Sequence, residues 1–206
     1  MPAIHHAISA ATLTLLTAPA FAASTVFTDA TAFLSQLAVG SYTESFDNLA
    51  DLPAGAVSFT GGAFSFSLTA PSDLYASGAF VGSSQPNEAL TISFLGGNVK
   101  AVGANFFATN LSDAFQTAAM QLTLGDGTVL SFTPGSAADS YRGFVSDVSI
   151  SSLVISGPGA FRYAGLDNLT VGSTAVSPVP EPARVLLLAL GLAALAGQVA
   201  ARRRPA

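Results

Sequence analysis

Between residues 24 and 176 apolar side chains recur in short runs, and several of these runs alternate strictly with polar residues. In Phe64-Ser65-Phe66-Ser67-Leu68 the period is two, which puts both rings and the leucine on one face and the serines on the other. Runs of this kind predict strands at 41–46, 56–59, 63–68, 89–94, 99–107, 118–124, 128–132, 142–145, 150–155, 160–163 and 166–171. Gly125-Asp126-Gly127 between two of them predicts a hairpin, with glycine available for positive φ. The first element breaks the pattern. Thr28 or Asp29 suits the N-cap of a short helix running to Leu37, with Phe33 and Leu37 four apart on one face and Gly40 as its stop. Many short strands at this spacing predict a mainly β fold: an antiparallel β-sandwich of jelly-roll type with one short N-terminal helix.

The two ends follow other rules. Residues 7–21 (AISAATLTLLTAPAF) form a short apolar run closed by the small-x-small pattern Ala20-Phe21-Ala22. This predicts a secretory signal peptide over residues 1–23, cleaved after Ala22 or Ala23, although its first residues carry no Lys or Arg. His5 and His6 fall in the segment to be discarded, so they are not metal-ligand candidates. At the other end, 185–201 (VLLLALGLAALAGQVAA) contains a single polar side chain, Gln198. As a transmembrane helix it spans roughly 25 Å at ~1.5 Å per residue, slightly short of a ~30 Å hydrocarbon core. The stems of Arg202, Arg203 and Arg204 make up the difference by snorkelling, and their charges favour the cytoplasmic side. Pro178, Pro180 and Pro182 disfavour helix just before the span and keep 177–182 extended. The chain thus divides into a signal peptide (1–23), an exported domain (24–176) and a tail (177–206).

Composition sharpens this picture. Only 9% of the 206 residues are charged, against ~25% in an average globular chain, which suits a β-protein better than a helical bundle. Four of the seven basic residues lie in the tail, leaving Lys100, Arg142 and Arg162. The exported domain therefore has three basic residues against eleven acidic ones, a net charge of −8. That balance excludes a nucleic-acid footprint and is compatible with calcium or neutral sugars. Cysteine is absent, so the domain folds without disulfides, as ~150 residues can.

Catalytic chemistry finds little support. The domain has no histidine, which excludes Ser-His-Asp triads and His-ligated zinc there. Its other acids (Asp73, Glu88, Asp113, Asp126, Asp139, Asp147) are scattered beside turn residues, a poor basis for a glycosidase carboxylate pair. Phe106, Phe107 and Phe115 form a candidate sugar-stacking platform, yet Phe lacks the polar edge that Trp and Tyr offer. Core packing is the better reading of most phenylalanines, and a non-enzymatic protein is expected.

Val179-Pro180-Glu181-Pro182, the apolar span and Arg202-Arg203-Arg204 together resemble the PEP-CTERM sorting signal of Gram-negative bacteria. In that family a membrane-embedded exosortase recognises and cleaves at the Pro-Glu-Pro motif. The resemblance implies that Val179, Pro180, Glu181 and Pro182 are recognised as substrate and that the arginines stop the chain in the inner membrane. It further implies a precursor facing the periplasm, a mature form at the cell surface or matrix, and association with exopolysaccharide or biofilm. SFDNL…LPAG, NVKAVGANFF, YRGFVSDVSISSLVIS and YAGLDNLTVG also resemble the outer domains found ahead of such tails. The alternatives are a carbohydrate-binding module and, third, a glycoside hydrolase.

Phe46-Asp47 early and Leu166-Asp167-Asn168 late look like the structural calcium site of carbohydrate-binding jelly rolls. The first and last strands of such a fold are often neighbours. That likeness implies Asp47, Asp167 and Glu44, with backbone carbonyls, as oxygen ligands of Ca²⁺. The competing role for each Asp is satisfaction of a turn.

Overall fold

The computed structural model describes residues 24–47, 49 and 51–175. The expected signal peptide, proline motif, span and arginine cluster lie outside the described residues. In chain order the elements are β1 (Ser24–Phe27), α1 (Ala30–Leu34), β2 (Tyr42–Glu44), β3 (Val57–Gly61), β4 (Phe64–Thr69), β5 (Leu74–Ala76), β6 (Val81–Ser83) and β7 (Leu90–Phe94). There follow β8 (Ala101–Thr109), β9 (Phe115–Gln116), β10 (Met120–Leu124), β11 (Val129–Phe132), β12 (Tyr141–Ser146), β13 (Ser152–Ser156) and β14 (Tyr163–Gly172).

The strands make two open antiparallel sheets. The first runs β1-β12-β8-β14-β6-β5, with β2 added on β14 and β9 on β8; the second runs β11-β10-β13-β7-β4-β3. Period-two alternation builds the core between them. Phe66, Leu68, Ile92, Leu122, Leu153 and Ile155 point inward from the second sheet, and Val102, Phe106, Phe144, Leu166 and Val171 from the first. All are fully buried, each burial contributing about 1.5–3 kcal/mol. The hairpin read at Gly125-Asp126-Gly127 joins β10 to β11: Gly127 takes φ 91°, and the Asp126 carboxylate accepts the Thr128 N–H at 2.8 Å.

Three features differ from the sequence expectation. The run at 160–163 is not a strand of its own: residues 160–162 form a turn and Tyr163 opens β14, which continues through 166–171 because Gly165 interrupts the apolar pattern without interrupting the ladder. A Cβ there would lie 2.7 Å from the Phe107 ring, so close packing demands the glycine. The short strands β1, β5, β6 and β9 carry no readable alternation. The helix, capped by Asp29 whose Oδ1 accepts the Ala32 N–H at 2.7 Å, ends at Leu34, not Leu37. Leu37 is drawn instead into a bridge with Thr174.

Helix α1 sits on the outer face of the first sheet, and a gap in the side chains lets it in. Gly103 and Gly143 are cross-strand partners on β8 and β12, and the fully buried Phe33 ring packs on that bare backbone. A Cβ on Gly143 would stand 2.6 Å from the ring, and one on Gly103 2.4 Å from the Tyr141 hydroxyl. Gly143→Ala is therefore expected to destabilise the protein by about 1–3 kcal/mol in urea unfolding, the usual overpacking cost. Phe33→Leu should recover part of that loss in a double-mutant cycle, since it removes the atoms the new methyl meets.

The ladders also fix the poles of the molecule. Ser24 pairs with Ser146, and Ala101 pairs with both Val145 and Gly172, so the first and last described strands start and finish at one end. Thr109, with Tyr163 and Phe115 beside it, marks the opposite end, ~27 Å away at ~3.4 Å per residue along β8.

Candidate functional site

Strand β2 pairs with β14 in the register Leu169↔Glu44, Thr170↔Thr43 and Val171↔Tyr42. Two local backbone features then position the acids. Phe46 adopts φ 56°, uncommon for a bulky residue, and its fully buried ring packs edge-on against Phe59 with centroids 5.3 Å apart. With Phe46 anchored inward, Asp47 is left exposed at the strand end. On β14 the register slips between Asp167 and Thr170, a bulge in which Asn168 adopts φ 54°.

Asp47 and Asp167 are brought within electrostatic reach of each other. Asp167 is half-buried, and its carboxyl is pushed above the ordinary carboxylate range by burial first and by the Asp47 charge as well. The Asn168 backbone N–H (2.8 Å) and side-chain amide (2.7 Å) donate to Asp167 and offset part of this shift. Glu44 is committed locally. Its Oε1 accepts the Phe46 N–H at 3.1 Å and its Oε2 accepts the Tyr42 hydroxyl, whose pKa burial and this bond push up to about 12. Among the described residues no group of three or more His, Cys, Asp or Glu side chains gathers closely enough to hold a metal.

The three candidate platform phenylalanines are divided by register. Phe106 is fully buried in the core; Phe107 and Phe115 are half-buried on the outer face. Phe107 lies under Phe80, with centroids 5.3 Å apart and the rings nearly perpendicular, and Phe80 in turn meets Tyr75 edge-on at 6.2 Å. Beside this stack, at the pole marked by Thr109, a cleft of about 100 Å³ is lined by Tyr75, Phe80, Tyr163, Thr109, Asn110 and Asp113 among others. Tyr75 donates its hydroxyl to Asp113 Oδ2 at 2.7 Å, a bond that raises the phenol above its ordinary pKa. These residues come from four separated segments of the chain, so no local pattern unites them. The one available signal was that Tyr75 and Tyr163, unlike the phenylalanines, carry the polar edge suited to a wet surface.

Comparison with known proteins adds no relative: no family model matches the chain, and no curated protein matches it.

The acidic pair has a measurable consequence. A carboxyl whose pKa is raised in the folded state adds stability while protonated and loses it as pH rises through the carboxylate range. Asp167→Asn, always neutral, is therefore expected to raise Tm over the native chain at pH 7 in metal-free buffer. The gain should shrink as pH falls through the raised pKa of the folded state and should be gone below the ordinary carboxylate pKa of about 4. A variant less stable than the native chain at pH 7 would show that the ionised carboxylate is needed as an acceptor.

Proposed function

We propose that the chain is an exported, non-enzymatic surface or matrix protein, sorted through a C-terminal PEP-CTERM-type signal and associated with extracellular polysaccharide. The observation that carries this reading is the tripartite order of Val179-Pro180-Glu181-Pro182, the apolar run at 185–201 and Arg202-Arg203-Arg204. In this reading the precursor is held in the inner membrane facing the periplasm, and an exosortase processes the tail and releases the domain to the cell surface. A chain with both ends of its domain at one pole suits such a path, because neither processing event disturbs the opposite pole. The sandwich is read as the jelly-roll kind, for which the neighbouring β2 and β14 are support.

Mass spectrometry of both termini, in hosts with and without an exosortase, tests the sorting. The expected mature chain begins after Ala22 or Ala23 and lacks Arg202-Arg203-Arg204 only where the exosortase is present. Replacing Pro180 and Glu181 by alanine should preserve the tail in both hosts. An intact arginine cluster in the exosortase-containing host would reduce the tail to an ordinary anchor.

Structural calcium belongs to the same proposal, favoured by the repulsion between Asp47 and Asp167. A divalent cation bound by both carboxylates would remove that repulsion, and the remaining oxygen ligands would be backbone carbonyls and water. Glu44 acts in this scheme as the brace of the Phe46 turn. Calcium is expected to raise Tm of the native chain, since a ligand of the folded state must, and to leave Asp167→Asn unchanged. A Tm indifferent to calcium in the native chain removes the ion from the scheme.

A further inference from the structure

We propose that the cleft between Tyr75, Tyr163 and Asp113 is a binding site for a neutral sugar residue of a polysaccharide, open at the pole opposite the one that holds Ser24 and Gly172. The proposal rests on the surface-protein reading only for the source of the ligand; its chemistry comes from the cleft.

A pyranose ring presents an apolar C–H face and a rim of hydroxyls. A site for it needs an aromatic surface beside fixed donors and acceptors. The cleft supplies both. Tyr75, 40% exposed, and Tyr163 offer ring surface with a polar edge, and Phe80 closes the wall between Tyr75 and the sheet. Asp113 Oδ2 is taken by Tyr75, and Oδ1 has no hydrogen-bond partner among the described residues. A carboxylate oxygen so placed is a strong acceptor for sugar hydroxyls. The nearly buried Thr109 in the cleft lining likewise has no hydroxyl partner among the described residues.

The turn that carries these groups is already organised. Asn110 Oδ1 accepts the N–H groups of Ser112 at 2.9 Å and Ala114 at 3.1 Å, and the Asn110 backbone pairs with Ala114 at 3.0 Å. Asp113 is thereby held at φ 59°, a conformation Asp adopts more readily than most residues. Because the turn is set in advance, a ligand loses little affinity to ordering it. Leu111, 85% exposed, stands at the rim as a further apolar contact.

Charge decides between classes of ligand. No basic residue lines the cleft, its one charged side chain is Asp113, and the whole domain is strongly acidic. Uronates, phosphates and sulfated chains are repelled; neutral hexose polymers are not. The small volume suits one ring held within a longer chain. The pole suits it too, since the ~27 Å length of β8 separates the cleft from Ala175, where the described chain stops toward the tail.

The test uses the full chain purified in detergent and neutral hexasaccharides of glucose, mannose and galactose, with polyuronate oligomers as the anionic comparison, read by titration calorimetry. The expected result is binding of at least one neutral oligosaccharide and no uronate binding. Tyr75→Ala and Asp113→Asn should each weaken it about tenfold, the loss typical of one stacking or charge-assisted contact. Asn keeps the left-handed turn, and circular dichroism with Tm confirms that both variants fold. Tyr75→Phe should lose less than Tyr75→Ala, because the ring face remains. Three outcomes overturn the proposal: no binding by any neutral oligosaccharide, a preference for uronates, or neutral binding indifferent to both variants. Sorting is scored separately: a chain with Pro180 and Glu181 replaced by alanine should still bind the sugar, so failure of either reading leaves the other standing.

Discussion

The antiparallel ladder of β8 and β14 is the interaction on which the rest of the molecule depends. It is the longest pairing in the structure, running from Ala101↔Gly172 to Thr109↔Tyr163. Its inner face supplies Val102, Phe106, Leu166 and Val171 to the core, so neither strand can slip by one residue without turning those side chains into water. That register also dictates the outer face. Gly103 lies where Phe33 must dock, and Gly165 lies where the Phe107 ring must lie down. One alignment thus seats the helix and builds the aromatic stack beside the cleft. The bulge at Asn168 is a local irregularity in this same ladder, and it sets Asp167 near the exposed end of β2.

Much of the architecture was legible in the sequence because two-residue periodicity has a direct physical consequence. Alternation in Phe64–Thr69 or Leu90–Phe94 means one wet and one dry face, and both became central strands of the second sheet. Asp29 was readable as a cap because its chemistry is local: side chain and N–H lie three residues apart. Strands of two or three residues such as Leu74–Ala76 are held by neighbours distant in the chain and carry no pattern of their own. For the same reason β14 looked like two strands, since glycine reads as a breaker until its partner ring is known.

The acids show where sequence proximity misleads. Glu44, Asp47 and Asp167 look alike as oxygen donors, but Glu44 shares its strand with Tyr42, two residues back on the same face. A phenol that near, together with the Phe46 N–H freed by the turn, claims both its oxygens. Asp47 and Asp167 have no such local donor in common, and their relation is set by the β2–β14 register together with the Phe46 turn and the Asn168 bulge that flank it. The candidate sugar site was hidden more completely. Its groups come from β5, β6, the β8–β9 turn and the start of β14, and no window of sequence contains more than a few of them.

The division of labour across the sheet follows from charge and distance. Coulomb repulsion between exposed charges fades beyond the ~8 Å screening length at physiological salt. Midway along the ladder, opposite Asn105, the Asp167 carboxyl is raised by burial and by the Asp47 charge. The pole marked by Thr109 lies four residues farther along β8, about 14 Å at ~3.4 Å per residue. There Asp113 Oδ2 accepts the Tyr75 hydroxyl at 2.7 Å. The proposed recognition chemistry, which uses the other Asp113 oxygen, belongs at that end of the sheet, beyond the screened reach of the acidic pair.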